Sequence, residues 1–211
     1  MRLRLVQTRS GVSAQFDVVS GGVLVGRAVQ SNNVTFGGSW ETEYAGRAIR
    51  MDYRRAEMLG NISKSAENRQ YMPYLIRNDA GQELGKIVRK YSDGSIFRRY
   101  EYVEMIFAGC VYSMYVIGLG REGYAFPVYC GETQVALIEK GCEVRNNLDE
   151  YEVTCRDGFD LQSVLLGLYL DGMLFANRGE IATQSVKKSF LITTNKQLKA
   201  KHDPLFKNTV Q

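Results

Sequence analysis

Asp160-Leu-Gln-Ser-Val-Leu-Leu-Gly-Leu-Tyr-Leu-Asp-Gly-Met-Leu-Phe-Ala-Asn-Arg-Gly179 differs from the rest of the chain in being apolar nearly all the way round a helical turn. Asp157 and Asp160 stand where N-terminal caps belong and Asn177 to Gly179 where a helix stops, so the stretch reads as one helix over about 160–177. A helix without a polar face is buried, in protein or in lipid. Leu161 to Ala176 would span only ~24 Å at 1.5 Å per residue. That falls short of the ~30 Å hydrocarbon core of a bilayer, and Asp171 sits inside it. The expectation is a core helix whose buried side chains include Leu161, Val164, Leu165, Leu168, Met173 and Phe175.

Working outward, the remainder reads as strands. Gln15 to Val29, Tyr74 to Val88 and Tyr124 to Ile138 each place a glycine-containing turn between two apolar, alternating runs, the short-range signature of a hairpin. Further strand-like runs lie at Arg2 to Val6, Ala48 to Tyr53, Ile96 to Tyr102, Val111 to Ile117, Tyr151 to Cys155 and Val186 to Thr193. About a dozen short strands imply a closed or nearly closed antiparallel sheet, since closure removes edges that would otherwise need protection. The fold class is mainly β with one core helix, in a single domain over 1–194. Residues 195–211 are polar and basic and are expected as a mobile tail.

Composition narrows the chemistry. With 45% apolar residues in 211, including thirteen Tyr and nine Phe, the chain can build its core without a staple. The four cysteines, Cys110, Cys130, Cys142 and Cys155, form no C-x-x-C pair and the sole histidine is His202, so zinc spacings are missing and reduced thiols are expected. Met1 to Arg9 returns to polar residues before an export signal accumulates, which places the expected location in the cytoplasm, peripheral to a membrane if attached to one. The triplets at Asn33 and Asn61 that match glycosylation acceptors then have no consequence. A net charge of +4 is compatible with polyanion binding without requiring it.

Gly118-Leu-Gly-Arg-Glu-Gly123 satisfies G-x-G-x-x-G, but the aromatic, Pro127-interrupted run after it is β-like, and a dinucleotide fold needs a helix there. A hairpin turn is expected. Histidine catalysis has little to work with, and Asp149 with Glu150, or Asp157 with Asp160, read as loop and cap acids rather than an acid–base pair. No catalytic residue, metal or cofactor is assigned. Lys86 to Tyr102 carries the more informative pattern: a two-residue turn at Asp93-Gly94 would set Arg89 opposite Arg98, with Lys90 and Arg99 on the other face and Lys86 opposite Glu101. Such arginines either find carboxylates elsewhere or await an anion. Arg47, Arg50, Arg54 and Arg55 form a second basic run.

A dozen strands followed by one late, fully apolar helix and a last strand resembles the tubby C-terminal-like superfamily, near the phospholipid scramblases and LURP-one-related proteins. Gly158 to Ala176, an acidic residue before an apolar helix ending in aromatics, and the hairpin rhythm from Tyr74 to Gly141 carry the resemblance, over about two-thirds of the chain. It implies a twelve-stranded barrel with the helix threaded through it, and phosphoinositide binding by basic side chains on the exterior. A scramblase-like calcium stretch would fall near Asp149, Glu150, Asp157 and Asp160, where the acidic run D-x-D-x-D-G is absent, and the palmitoylated cysteine cluster is missing too.

The functional expectation is a non-enzymatic module presenting a basic barrel surface to anionic phospholipid or phosphoinositide headgroups. Its candidate residues are Arg89, Lys90, Arg98, Arg99, Arg50, Arg54 and Arg55. Nucleic-acid binding by cations interleaved with Tyr and Phe, and an enzyme holding a ligand in the barrel mouth, stay open as alternatives.

Overall fold

A computed structural model describes residues 1–11, 13–31, 38–60, 70–92, 99–175, 186–188 and 191–210. In chain order the elements are β1 (Arg2–Arg9), β2 (Gln15–Ser20), β3 (Val23–Gln30), β4 (Trp40–Tyr44), β5 (Arg47–Tyr53), α1 (Arg55–Gly60), β6 (Tyr71–Asn78), β7 (Glu83–Tyr91), β8 (Glu101–Phe107), β9 (Cys110–Tyr115), β10 (Ile117–Gly118), β11 (Tyr124–Cys130), β12 (Thr133–Lys140), β13 (Glu143–Arg145), β14 (Glu150–Cys155), α2 (Asp160–Leu170), β15 (Val186–Lys188), α3 (Lys196–Lys199) and α4 (Phe206–Thr209). The triplets at Asn33 and Asn61 lie outside the described residues.

Alternation of apolar and polar residues puts one face of each strand inward: Leu3, Leu5 and Gln7 of β1 are buried while Arg2, Arg4 and Thr8 are exposed. Each main strand pairs antiparallel with its neighbour in the chain; β9 passes over the two-residue β10 to reach β11, β12 passes over β13 to reach β14, and β14 pairs with β1. Twelve strands therefore close into an up-and-down barrel, with β10 added beside β11 and β13 pairing with β15 outside it. Tight turns gather at one end. At Ala45-Gly46 and Ala108-Gly109 both central residues have positive φ, 49° and 75° in the first and 49° and 81° in the second, the backbone that matches strand twist in a two-residue hairpin. The longer connections, α1 among them, gather at the other end.

The three hairpins read from sequence are β2–β3, β6–β7 and β11–β12. β4 has no counterpart in the sequence reading; of the expected strand at Ile96 to Tyr102, residues 96–98 lie outside the described residues, and β8 begins at Glu101 and runs on to Phe107.

The apolar helix is the core. Leu161, Val164, Leu165 and Leu168 are all buried, with Val164, Leu165, Leu166 and Leu168 fully enclosed. Such burial contributes roughly 1.5–3 kcal/mol per side chain. A Cβ at Gly167 would overlap Leu5 Cδ1, so glycine is what lets the helix approach β1. The α-helical part ends earlier than expected: at Asp171 the chain enters a π-helical turn to Phe175, and residues 176–185 lie outside the described set. Met173 and Phe175 are half-buried against the same core, Phe175 beside Tyr124, Phe126 and Tyr151.

Inside the barrel Lys140 meets Asp149 at 2.6 Å, with side chains 3% and 1% exposed, and the ammonium lies 4.9 Å from the centre of the Phe175 ring. The buried Tyr151 hydroxyl donates to Asp171 at 3.1 Å, and burial pushes that phenol well above its ordinary pKa. All four cysteines are free.

The expectation of a mobile tail after Thr194 is corrected. Leu198 of α3 and Phe206 of α4 are buried against Ile117, Ala125 and Leu137 on the outside of β10, β11 and β12. The apolar outward residues of that wall need a cover, and the C-terminal stretch supplies it.

Candidate anion-binding surface

On the wall formed by β5 to β8 the inward residues are Ile49, Met51, Tyr74, Ile76, Ile87, Val103 and Met105. Between them Arg50, Asp52, Leu75, Arg77, Lys86, Lys90, Glu104 and Ile106 face outward. Arg50 stands opposite Arg77 in the register, a like-charge pair that needs an anion. Asp52 is that anion, 2.7 Å from Arg50 and 3.6 Å from Arg77, and it holds the Arg50 guanidinium above its ordinary pKa. With Glu41 opposite Arg50 and Glu83 opposite Arg77, three carboxylates outnumber the two arginines in this patch.

Further along the wall the balance changes. Glu57 of α1 reaches both Lys86, at 2.8 Å, and Arg54, at 3.1 Å, and these cations hold its carboxyl below the usual range. Lys90 meets Glu104 at 2.6 Å. Arg55 opens α1 as an exposed residue. Among the described residues, Lys86 and Arg54 thus share Glu57, Lys90 pairs with Glu104, and Arg55 adds a further exposed cation. Leu59 of α1, Ile106 and Val111 are exposed beside them, at 53%, 43% and 49%; Ile106 lies directly between Lys86 and Val111 in the register.

The expected Arg89–Arg98 pair is corrected. Tyr91 pairs with Glu101 and Arg89 with Val103, and Lys86 lies opposite Ile106 rather than Glu101; Asp93-Gly94 lies outside the described residues. Burial of Ile87 with Val103, Met105 and Phe107 fixes this register, because any one-residue slip would turn those side chains outward. Arg98 lies outside the described residues. Arg89 shares the inward face with Ile87 and belongs to the barrel rim, 3.4 Å from Glu101; Arg99 is half-buried on the approach to β8. Of the nominated cations, Arg50, Arg54, Arg55 and Lys90 share the outer wall. Arg77, Lys86 and the exposed apolar residues were missed. Lys86 carried a signal, since it alternates with Ile87, but the assumed turn gave it the wrong neighbour.

Asp149, Glu150, Asp157 and Asp160 do not converge. Asp149 is inside with Lys140, Glu150 is outside with Arg4, Asp157 is exposed near the N-terminal amine, and Asp160 at the start of α2 accepts the Tyr44 hydroxyl, a bond that adds to the rise burial causes in that phenol's pKa. Among the described residues no group of His, Cys, Asp or Glu is placed to hold a metal. The G-x-G-x-x-G stretch is a turn: Gly120–Glu122 forms a single 3-10 turn and β11 follows, with Gly118 against the Leu191 carbonyl and Gly123 against that of Lys140.

The structure defines a class: a closed, twelve-stranded antiparallel barrel filled by a helix, the architecture the sequence resemblance implies. The chain itself matches no protein-family model, no curated protein and no solved structure.

Proposed function

We propose that this chain is a tubby-like, non-enzymatic binding module that docks peripherally on anionic phospholipid or phosphoinositide headgroups through the outer wall of β5 to β9 and α1. One observation carries the reading: a cation excess and three exposed apolar side chains occupy the same wall. Basic residues near an anionic leaflet contribute about 1 kcal/mol each, and apolar residues among them reach the acyl boundary, which a nucleic-acid surface does not reward. The helix fills the interior, so a macromolecular partner meets the outside. Among the described residues no helix is long and apolar enough to cross a membrane.

Co-sedimentation with neutral, phosphatidylserine-containing and phosphoinositide-containing vesicles tests this. Binding to the anionic vesicles alone is expected. Arg54→Ala, Arg55→Ala and Lys90→Ala together are expected to weaken it roughly a hundredfold, at about 1 kcal/mol per cation. Binding to neutral vesicles alike, or a triple variant that binds as well as the parent, contradicts the proposal. A labelled oligonucleotide that binds with a steep salt slope, where vesicles do not, replaces it with the nucleic-acid reading.

A further inference from the structure

Lys140 is the last residue of β12 and Asp149 stands directly before β14, so the pairing of those two strands brings them together inside the barrel. Nζ and Oδ1 lie 2.6 Å apart, with the side chains 3% and 1% exposed, and bulk water reaches neither. Both backbones are held. Lys140 pairs with Tyr124 in the sheet, while Gln7 engages Asp149 twice: its N–H donates to the Asp149 carbonyl at 2.9 Å, and its side-chain oxygen accepts from the Asp149 N–H at 2.8 Å.

The surroundings are aromatic. Lys140 Nζ lies 4.9 Å from the centre of the Phe175 ring and 5.8 Å from that of Tyr151. The Tyr151 hydroxyl donates to Asp171, itself 1% exposed, which adds a second buried carboxyl to the enclosure. Burial, then the charges of Asp171 and Asp149, hold that phenol protonated, so it stays an O–H donor. An amine nitrogen and a carboxyl carbon are thus fixed side by side where water is shut out. Fixed approach replaces a bimolecular encounter, and exclusion of water removes the competing hydrolysis.

We propose that Lys140 and Asp149 condense in the folded chain to an intramolecular isopeptide bond, the ion pair being the state that precedes it. One ammonium proton passes to the carboxylate, leaving a neutral amine beside a carboxylic acid and removing two charges from an apolar interior. Nζ then attacks Cγ of Asp149. The N–Cγ bond forms, the Cγ–O bond breaks, and the departing hydroxyl takes a second proton from Nζ and leaves as water; the amide nitrogen keeps the third. No oxidant or cofactor enters. The bond closes residues 140–149 into a covalent ring where β12 passes over β13 to reach β14, a staple made without cysteine.

Intact-mass measurement of the denatured full chain, with tandem spectra of its tryptic digest, tests this, with Lys140→Arg and Asp149→Ala as controls. The parent is expected to be lighter than its sequence by one water. Trypsin cuts after Arg145, between the two residues, so a covalent bond keeps the flanking fragments together where an ion pair releases them. Both variants are expected at full sequence mass with their fragments separate, and the parent's result stands even if neither variant folds. A parent at full mass, separate fragments from the parent, or a lost water that maps instead to a succinimide at Asp93, Asp157 or Asp171, each followed by glycine, overturns the proposal.

Discussion

Lys140 and Asp149 show how a single pair is constrained by the interior. Both are nearly inaccessible, and removing one partner leaves the other charged without compensation. Lys140→Met is expected to destabilise the fold by about 3–5 kcal/mol in urea denaturation, with Lys140→Met combined with Asp149→Asn recovering part of the loss. On the outer wall, Glu57 titrates below its ordinary range because Lys86 and Arg54 favour its charged form. A depressed folded-state pKa means a contribution to stability that is present above the ordinary carboxylate pKa and lost as pH falls through the folded one. Denaturation midpoints measured from pH 7 down to pH 3 are therefore expected to fall less in Lys86→Gln with Arg54→Gln than in the parent. Neither pair was legible in the sequence, because Lys140 and Asp149 are nine residues apart and Glu57 meets Lys86 only once the β6–β7 hairpin folds back.

At the scale of elements, the central helix was the most legible feature, since Leu161 to Leu170 offers no polar face to solvent and Asp160 marks its start. Leu166→Asp places a carboxylate in the middle of the core and is expected to yield no soluble folded protein; well-dispersed spectra from that variant would contradict the buried helix. Gly167→Ala is expected to cost roughly 1–3 kcal/mol by overpacking against Leu5, with Leu5→Ala reducing the added penalty in a double-mutant cycle. The π-helical turn from Asp171 to Phe175 contains Gly172, a poor residue for a helix interior, but one glycine does not say which way the helix will depart from α geometry. The register expected from Asp93-Gly94 gave way to the burial of Val103, Met105 and Phe107, whose alternation sets the register of β8.

For the whole molecule, closure of the barrel followed from the number of hairpin-like runs, whereas the seat of the C-terminal stretch did not. Leu198 and Phe206 are two of the few apolar residues in a basic segment, and such residues read alike whether exposed or docked. Each buried side chain of this size contributes roughly 1.5–3 kcal/mol, so removing residues 195–211 is expected to lower the melting temperature and expose Leu137 and Ile117. The same folding that covers one wall with α3 and α4 leaves Leu59, Ile106 and Val111 exposed among the cations on the wall of β5 to β9. An environment-sensitive fluorophore on Ile106→Cys, with Cys110, Cys130 and Cys142 changed to Ser, tests that wall most directly. The control carries the label on Thr8→Cys in β1, on the opposite side of the barrel ring. A blue shift at residue 106 on phosphatidylserine-containing vesicles, with none at residue 8, is the predicted result; equal shifts at both positions, or none at 106, would contradict docking through this face.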